Sequence, residues 1–251
     1  RYLPPFHDHK YRIVYSKMEN RSQVSDIQHP SVRECIKHLE IIAGLEIHHD
    51  SDLPAKSGLG SSSTFTVGLL NCLYSLRGKH ISREELAKKA IYIEQVRIEE
   101  NVGNQDQIHA AYGGFNQIEF VESGDFKVNP VILKPEALSK LENYLLLFYT
   151  GISRYASDVA SEQIKKTSER EKELFEMQSM VPKALGILND RKENLDDFGR
   201  LLHESWKLKR SLTDKISTLA IDDIYEKAIS AGALGGKLLG AGGGGFLLFY
   251  C

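Results

Sequence analysis

The segment that decides the fold runs from Leu53 to Thr64 and reads LPAKSGLGSSST. Its two glycines let the backbone turn tightly and approach a ligand closely. Three serines follow and open a helix, in which apolar residues recur at helical spacing from Phe65 to Leu76. Because a helix N-terminus binds anions through its free N–H groups, the segment predicts a phosphate-binding loop. The alternative is a serine-capped helix after a flexible loop.

A second glycine-rich segment, GAGGGG at residues 240–245, precedes an apolar strand pattern at 246–251. It contains a GxGxxG match, but the dinucleotide-binding fingerprint follows a strand and opens a helix, so this order excludes NAD binding. The first segment lacks the GxxxxGK[ST] pattern of a Walker A loop. Glycines that weaken a strand favour close backbone approach to a ligand or to the first loop. A flexible hairpin connection is the alternative.

Two carboxylates lie between these segments. Glu94 shares one helical face with Ala87, Ile91 and Ile98, and a carboxylate on an apolar face needs a partner such as a metal ion. A rotated helix with Glu94 in solvent is the alternative. Asp106 follows a glycine-containing break in VGNQDQ, where it either deprotonates an attacking hydroxyl or caps a helix.

Composition limits the classes of function. The chain has 251 residues and a formal net charge of -2, which argues against nucleic-acid binding. No apolar run approaches the roughly 18 residues that span a bilayer, so no membrane association is expected. Three scattered cysteines form no disulfide framework or metal motif, which favours a reducing, cytoplasmic setting. The pairs His7/His9 and His48/His49 lack metal-ligand spacing and are interpreted as solvated.

The order of elements predicts an α+β fold. Strands are expected at 11–16, 45–49, within FNQIEFV and YLLLFYT, and at 246–251, with helices at 30–43, before Gly78, after a capping box at Ser82, at 106–112, and between 155 and 231. The pattern loosens around 130–139, which predicts domains at 1–138 and 139–251. Both ends are expected to be truncated. Trp206, Lys207, Lys209 and Arg210 predict a helix with one buried edge, with substrate phosphate contact as the less favoured alternative.

Taken together, PAKSGLGSSS, Glu94, Asp106 and KLLGAGGGG resemble, in this order, the GHMP kinases. The finer match, GLGSSST with GNQDQ, AAYGGFN and GGKLLGAGGGGFLLFY, resembles the branch of D-glycero-D-manno-heptose 7-phosphate kinases. L-fucokinases share much of that pattern. The resemblance implies a two-domain fold, with a βαβ-type N-terminal domain and a ferredoxin-like α/β sandwich as the C-terminal domain. The family's N-terminal GGGTD-type motif and its C-terminal tail are absent from this sequence.

The resemblance also implies roles for individual residues. The loop around the ATP phosphates would comprise Lys56, Ser57, Gly58, Leu59, Gly60, Ser61, Ser62 and Ser63. Ser62 and Glu94 would hold Mg²⁺, and Asp106 would face the acceptor hydroxyl. Arg154, Gly240, Gly242 and Gly243 would contact or shape the substrate site.

The activity implied is transfer of the ATP γ-phosphoryl group to the anomeric C1 hydroxyl of a heptose 7-phosphate. Alternatives are another sugar-1-kinase, such as an L-fucokinase, and a catalytically silent sensor that binds ATP and sugar. Retention of Ser62, Glu94 and Asp106 argues against the sensor. The expected partner is a small sugar phosphate, and the oligomeric state is left open between monomer and homodimer.

Overall fold

The computed structural model describes residues 1–53, 57–152, 156–189 and 194–251. These residues form two compact units. The first contains the described residues of 1–54 and 60–113, and the second contains those of 55–59 and 114–251. The division therefore runs through the first glycine-rich segment, between Leu59 and Gly60.

The first unit places helices on a small mixed sheet. Strand β1 pairs antiparallel with β2 and parallel with β3, and helix α1 lies between β2 and β3 in the chain, as a βαβ-type connection requires. Its elements are β1 (Tyr11–Val14), β2 (Met18–Arg21), a 3₁₀ turn (Val24–Asp26), α1 (Pro30–His38), β3 (Leu45–His48), α2 (Ser61–Leu76), α3 (Arg83–Tyr92), a π-helical turn (Ile93–Arg97) and α4 (Gln105–Tyr112).

Local chemistry explains two of these bounds. Helix α3 begins with the predicted capping box, in which Ser82 and Glu85 exchange hydrogen bonds. Helix α1 was expected to reach residue 43, but it ends at His38 because Glu40 adopts a left-handed conformation with φ of 51°. Strand β1 stops at Val14 instead of residue 16. Strand β2 was not predicted.

The second unit contains a two-stranded sheet, β4-β5, and an antiparallel three-stranded sheet in the order β6-β8-β7. Its elements are β4 (Asn116–Phe120), β5 (Phe126–Pro130), α5 (Pro135–Tyr144), β6 (Leu145–Tyr149), α6 (Ala156–Lys166), a 3₁₀ turn (Thr167–Glu169), α7 (Glu171–Asn189), α8 (Asp196–Ser211), α9 (Leu219–Ser230), β7 (Gly235–Leu238) and β8 (Phe246–Tyr250).

Helix α5 occupies the stretch where the sequence pattern loosens. Of its ten residues only Leu141 is buried, but Leu138, Leu141 and Tyr144 recur at helical spacing after Pro135 in the first turn. The predicted domain boundary at 138/139 falls inside α5, whereas the compact units divide after Gly113. The boundary itself stays a prediction.

Each unit has its own apolar core. In the first, buried side chains of α1, α2 and α3 pack with Tyr11 and Ile13 of β1. In the second, Trp206 and Tyr225 pack with Leu238 and Phe249 of the sheet. The mixture of helices and strands agrees with the α+β prediction. Among the described residues, no helix is both long and apolar enough to cross a membrane.

Candidate active site

The start of helix α2 is a left-handed glycine followed by the three serines. Gly60 is the N-cap with φ of 69° and offers no side chain to the N–H groups of the first turn. Ser61 is half-buried, Ser62 is exposed and Ser63 is 5% exposed. Since the cap residue leaves the first-turn N–H groups without a side-chain acceptor, the helix offers them to an anion.

Asp106 lies against this helix start. A Cβ placed on Gly60 would stand 3.1 Å from Asp106 Cγ and 3.3 Å from its Oδ2, so the carboxyl packs where Gly60 has no side chain. Asp106 is exposed and belongs to the first turn of α4, whose N-cap is Asn104. The alternative that Asp106 is the helix cap is therefore wrong, because Asn104 occupies that position.

Glu94 is buried, with 1% of its surface exposed, so the alternative of a solvated carboxylate is also wrong. Its Oε2 accepts a hydrogen bond from Ser63 Oγ at 2.8 Å and another from Gln107 Nε2. Burial raises the pKa of Glu94, and these hydrogen bonds oppose that rise. Its other oxygen, Oε1, is buried and has no hydrogen-bond partner among the described residues.

A π-helical turn sets the direction of Glu94. The predicted α-helical face included Ile91 and Ile98, yet both remain partly exposed. The π turn begins at Ile93, and Ile93 and Glu94 are both buried there. One extra residue in the turn changes the spacing that a regular helix would give.

The structure brings Ser63, not Ser62, to Glu94. The Ser62 side chain is exposed, and its carbonyl accepts a bond from Thr66 Oγ1 at 3.2 Å. Gln107, which no sequence motif singled out, completes the contact and is fully buried. The only signal in the sequence for a role of Gln107 is its position directly before the apolar residue Ile108. The roles of Ser62 and Glu94 toward Mg²⁺ stay predictions.

The second glycine-rich segment packs on Ser57 and Gly58 through its backbone. A Cβ on Gly240 would stand 2.7 Å from the Gly58 carbonyl oxygen, and one on Gly245 would overlap the carbonyl of Ser57. Gly58 and Gly240 have φ of 78° and 67°. The Ser57 side chain is fully buried, and its Oγ has no hydrogen-bond partner in the described chain.

The middle of that segment is also fixed. Gly243 N–H donates to the Ile216 carbonyl at 2.7 Å, and a Cβ on Gly242 would stand 2.8 Å from Ile216 Cα. The segment connects the antiparallel strands β7 and β8, as the hairpin alternative expects, and its backbone is held at several points. The substrate roles of Gly240, Gly242 and Gly243 stay predictions.

Two predicted site residues, Lys56 and Arg154, lie outside the described residues. Within the described ranges, no group of three or more His, Cys, Asp or Glu side chains is arranged to hold a metal ion. The interpretation of His9 as solvated is wrong, because its side chain is 10% exposed and pairs with Asp8, whereas His48 is 55% exposed and pairs with Glu46. Trp206 is buried as predicted for one edge of its helix.

Two family models match the chain. The model described as GHMP kinases N terminal domain covers residues 30–114, and the model described as GHMP kinases C terminal covers residues 183–251. Together they cover more than half of the sequence. The first includes Gly60, Glu94 and Asp106, and the second includes the GAGGGG segment.

Two known proteins with similar sequences have kinase activity in their names. The chain is 36% identical to D-glycero-alpha-D-manno-heptose 7-phosphate kinase of Campylobacter jejuni over 209 residues, which are 81% of this chain and 60% of the relative. It is 30% identical to the bifunctional fucokinase/GDP-fucose pyrophosphorylase of Arabidopsis thaliana, over 82% of this chain and 20% of that protein. The chain thus spans less than two thirds of the length of each of these two relatives.

A solved structure shares the fold. The D-glycero-D-manno-heptose 1-phosphate kinase from Bacteriodes thetaiotaomicron superimposes with a TM-score of 0.67, covering 96% of this chain and 72% of that one at 24% identity. At this identity the likeness extends to the fold alone.

Proposed function

The chain belongs to the GHMP kinase family, and from this premise we propose that the protein transfers the γ-phosphoryl group of ATP to the anomeric C1 hydroxyl of D-glycero-D-manno-heptose 7-phosphate. The product would be the 1,7-bisphosphate. ATP is the phosphate donor that the family uses.

One observation carries the proposal: two carboxylates meet the first turn of α2 in the same unit. Asp106 packs on Gly60, and Glu94 accepts a hydrogen bond from the hydroxyl of Ser63. Phosphoryl transfer needs an anion site, a means of neutralising phosphate charge and a base for the acceptor hydroxyl. The helix start, Glu94 and Asp106 supply residues of the right chemistry for these three tasks.

Asp106 is the proposed base. It is exposed, so an acceptor hydroxyl is able to reach its carboxylate. As the hydroxyl oxygen forms its bond to the γ-phosphorus, its proton passes to the Asp106 carboxylate and the bond from phosphorus to the ADP oxygen breaks. The first-turn N–H groups of α2 bind the transferring phosphates, and the loop from Gly58 to Ser63 surrounds them.

Glu94 fits a divalent cation. Its buried Oε1 has no partner among the described residues, which leaves a carboxylate oxygen available as a ligand. Ser62, with an exposed hydroxyl, is the second proposed ligand. Bound there, Mg²⁺ would neutralise phosphate charge. Ser63 and Gln107 orient the carboxylate by hydrogen bonds to its other oxygen.

The heptose phosphate rests on similarity. The Campylobacter relative is named for heptose 7-phosphate and is the more similar of the two reported curated relatives, at 36% against 30% identity. The fucokinase likeness keeps another sugar-1-kinase as the second candidate. A silent sensor is disfavoured because Glu94 and Asp106 both remain at the helix start.

The test is an assay of ADP release by the intact protein with MgATP. The panel contains heptose 7-phosphate, the unphosphorylated heptose and L-fucose, and ³¹P NMR identifies the phosphorylated position. We expect fastest turnover with heptose 7-phosphate and an anomeric phosphate signal. Preference for L-fucose would establish the second candidate, and ATP binding without turnover on any sugar would favour the sensor.

Further properties remain predictions that belong to this proposal. They are a cytoplasmic setting, a monomer or homodimer, and the absence of nucleic-acid and membrane partners. All three cysteines are free thiols.

A further inference from the structure

Lys209 reaches from helix α8 into the second glycine-rich segment. It lies in the last turn of the helix, and its Nζ donates to the carbonyl of Gly240 at 2.5 Å and to that of Leu238 at 3.5 Å. Two carbonyls that point toward one ammonium group would repel each other without it. Lys209 therefore stabilises the exact stretch at which β7 ends and the turn begins.

Contacts near the N-terminal end of helix α8 fix the position of the helix and therefore of Lys209. A Cβ on Gly235 of β7 would overlap the carbonyl of Gly199, so helix and strand touch backbone to backbone there. Two turns further along α8, Trp206 is fully buried in the same core. The helix is thus held against the strand, and Lys209 extends from that held edge.

The carbonyl that Lys209 binds belongs to the residue that touches the first glycine-rich segment. A Cβ on Gly58 would stand 3.0 Å from the Leu239 carbonyl oxygen, and one on Gly240 would stand 2.8 Å from Gly58 Cα. No side chain intervenes between these backbones to absorb a movement. A shift of the Gly240 peptide is therefore transmitted directly to Gly58.

We propose that Lys209 is a positioning residue for nucleotide binding, which holds the Gly240 peptide and through it sets the conformation of Gly58. The inference rests on the proposed function, because it takes Gly58 as part of the loop around the ATP phosphates. Lys209 acts through the backbone, so its loss should weaken nucleotide binding more than it unfolds the protein.

Helix α8 provides a matched control. Lys207, two residues earlier, is exposed and pairs with Glu204 of its own helix at 3.1 Å. Lys207→Met removes the same charge from the same helix without touching the turn. Lys209→Arg keeps a cationic donor, and Lys209→Gln keeps a shorter neutral donor.

The experiment is calorimetric titration of the intact protein and its variants with MgATP, beside melting curves and steady-state kinetics. Lys209→Met should raise the Kd and the KM for ATP by about tenfold to a hundredfold, as displaced positioning residues do. We expect kcat and the KM for sugar to change much less. Lys209→Arg should recover part of the affinity, and Lys207→Met should match wild type.

Several results would overturn the inference. Equal ATP affinity in Lys209→Met and Lys207→Met would overturn it. A Lys209→Met variant in which only the KM for sugar rises would also overturn it. If Lys209→Met does not fold, Lys209→Gln decides, and wild-type ATP affinity in Lys209→Gln rejects the role. Wild-type protein that binds no ATP would instead refute the proposed function, so the two failures are distinguishable.

Discussion

The two glycine-rich segments use the same residue for different purposes. At Gly60 the missing side chain makes room for a functional group, the carboxyl of Asp106. At Gly240 and Gly245 it makes room for main chain, the peptides of Ser57 and Gly58. The Asp106 side chain that faces Gly60 is able to rotate. The peptides that face Gly240 and Gly245 are main chain and cannot move aside in this way.

Substitutions in the two glycine-rich segments should therefore have different effects. Substitutions around Gly60 should act on chemistry and ligand binding, because the surrounding contacts are made by side chains. Substitutions in the 240–245 turn should lower the free energy of unfolding as well as ligand affinity, because a main-chain overlap cannot be relieved by changing a rotamer. Four sets of variants test this separation.

The largest expected effect is on catalysis. Asp106→Asn removes the proposed base and should lower kcat by about 10²–10⁴-fold, the usual contribution of a positioned acid or base. ATP affinity and melting temperature should stay near wild type, because the amide has nearly the same shape. Kinetics, calorimetry and a melting curve measure all three. Unchanged kcat would remove Asp106 from the mechanism.

The next largest effect is expected at the backbone contact between Gly245 and Ser57. Gly245→Ala places a methyl group on the Ser57 carbonyl at φ of 100°, so strain and overlap should lower the free energy of unfolding by about 3 kcal/mol. Gly124→Ala is the control, since Gly124 also has positive φ but nothing within 4 Å of the added carbon. Urea unfolding compares them. Equal losses would show that φ alone matters and that the contact does not.

Glu94→Gln tests the buried carboxylate. The Mg²⁺ concentration needed for half-maximal activity should rise at least about tenfold, with a lower kcat and no loss of stability. Full activity at ordinary Mg²⁺ would contradict the ligand role.

The same pair of proteins gives a pH test. Burial raises the pKa of Glu94 above 4.5, so the folded protein binds this proton more tightly than the unfolded chain. The free energy of unfolding of wild type should therefore fall as pH rises from 4.5 through the folded pKa. Glu94→Gln should lack this component of the decline when both are unfolded without added metal.

The smallest effect is expected at Gly60. Gly60→Ala forces a methyl group toward Asp106 and toward bound phosphate, so ATP affinity should fall by about tenfold, or about 1.4 kcal/mol. Gly78→Ala is the control just beyond the C-terminal end of the same helix, with φ of 65° and open space around it. If the two variants lose equal stability and Gly60→Ala keeps full ATP affinity, Gly60 serves only the turn.

The sequence predicted those features whose signal is local. The helix from Ser61 to Leu76, the capping box at Ser82 and the family motifs follow from residues close together in the chain. The π-helical turn did not, because hydrophobic spacing assumes a constant 3.6 residues per turn. For the same reason the sequence identified Glu94 as a special residue but misplaced the face around it.

Contacts between distant residues were harder to foresee. Ser63 rather than Ser62 meets Glu94, and a serine run contains nothing that selects one hydroxyl over the next. Gln107 bonds to a residue thirteen positions away, which only the packing of α4 on α2 and α3 explains. Helix α5 escaped prediction although Leu138, Leu141 and Tyr144 recur at helical spacing, because Tyr144 was assigned to the apolar strand pattern that follows directly.

The enclosure of Ser57 and Gly58 by the 240–245 turn also has a consequence for synthesis. About 190 residues separate Ser57 from Gly245, so on a ribosome that adds roughly 5–20 residues per second the partner arrives about 10–40 seconds later. The residues on either side of this short segment belong to the first unit and are made early. The segment must therefore wait as an open loop inside an already formed unit, which makes it an expected site of chaperone capture or proteolytic nicking in the nascent chain.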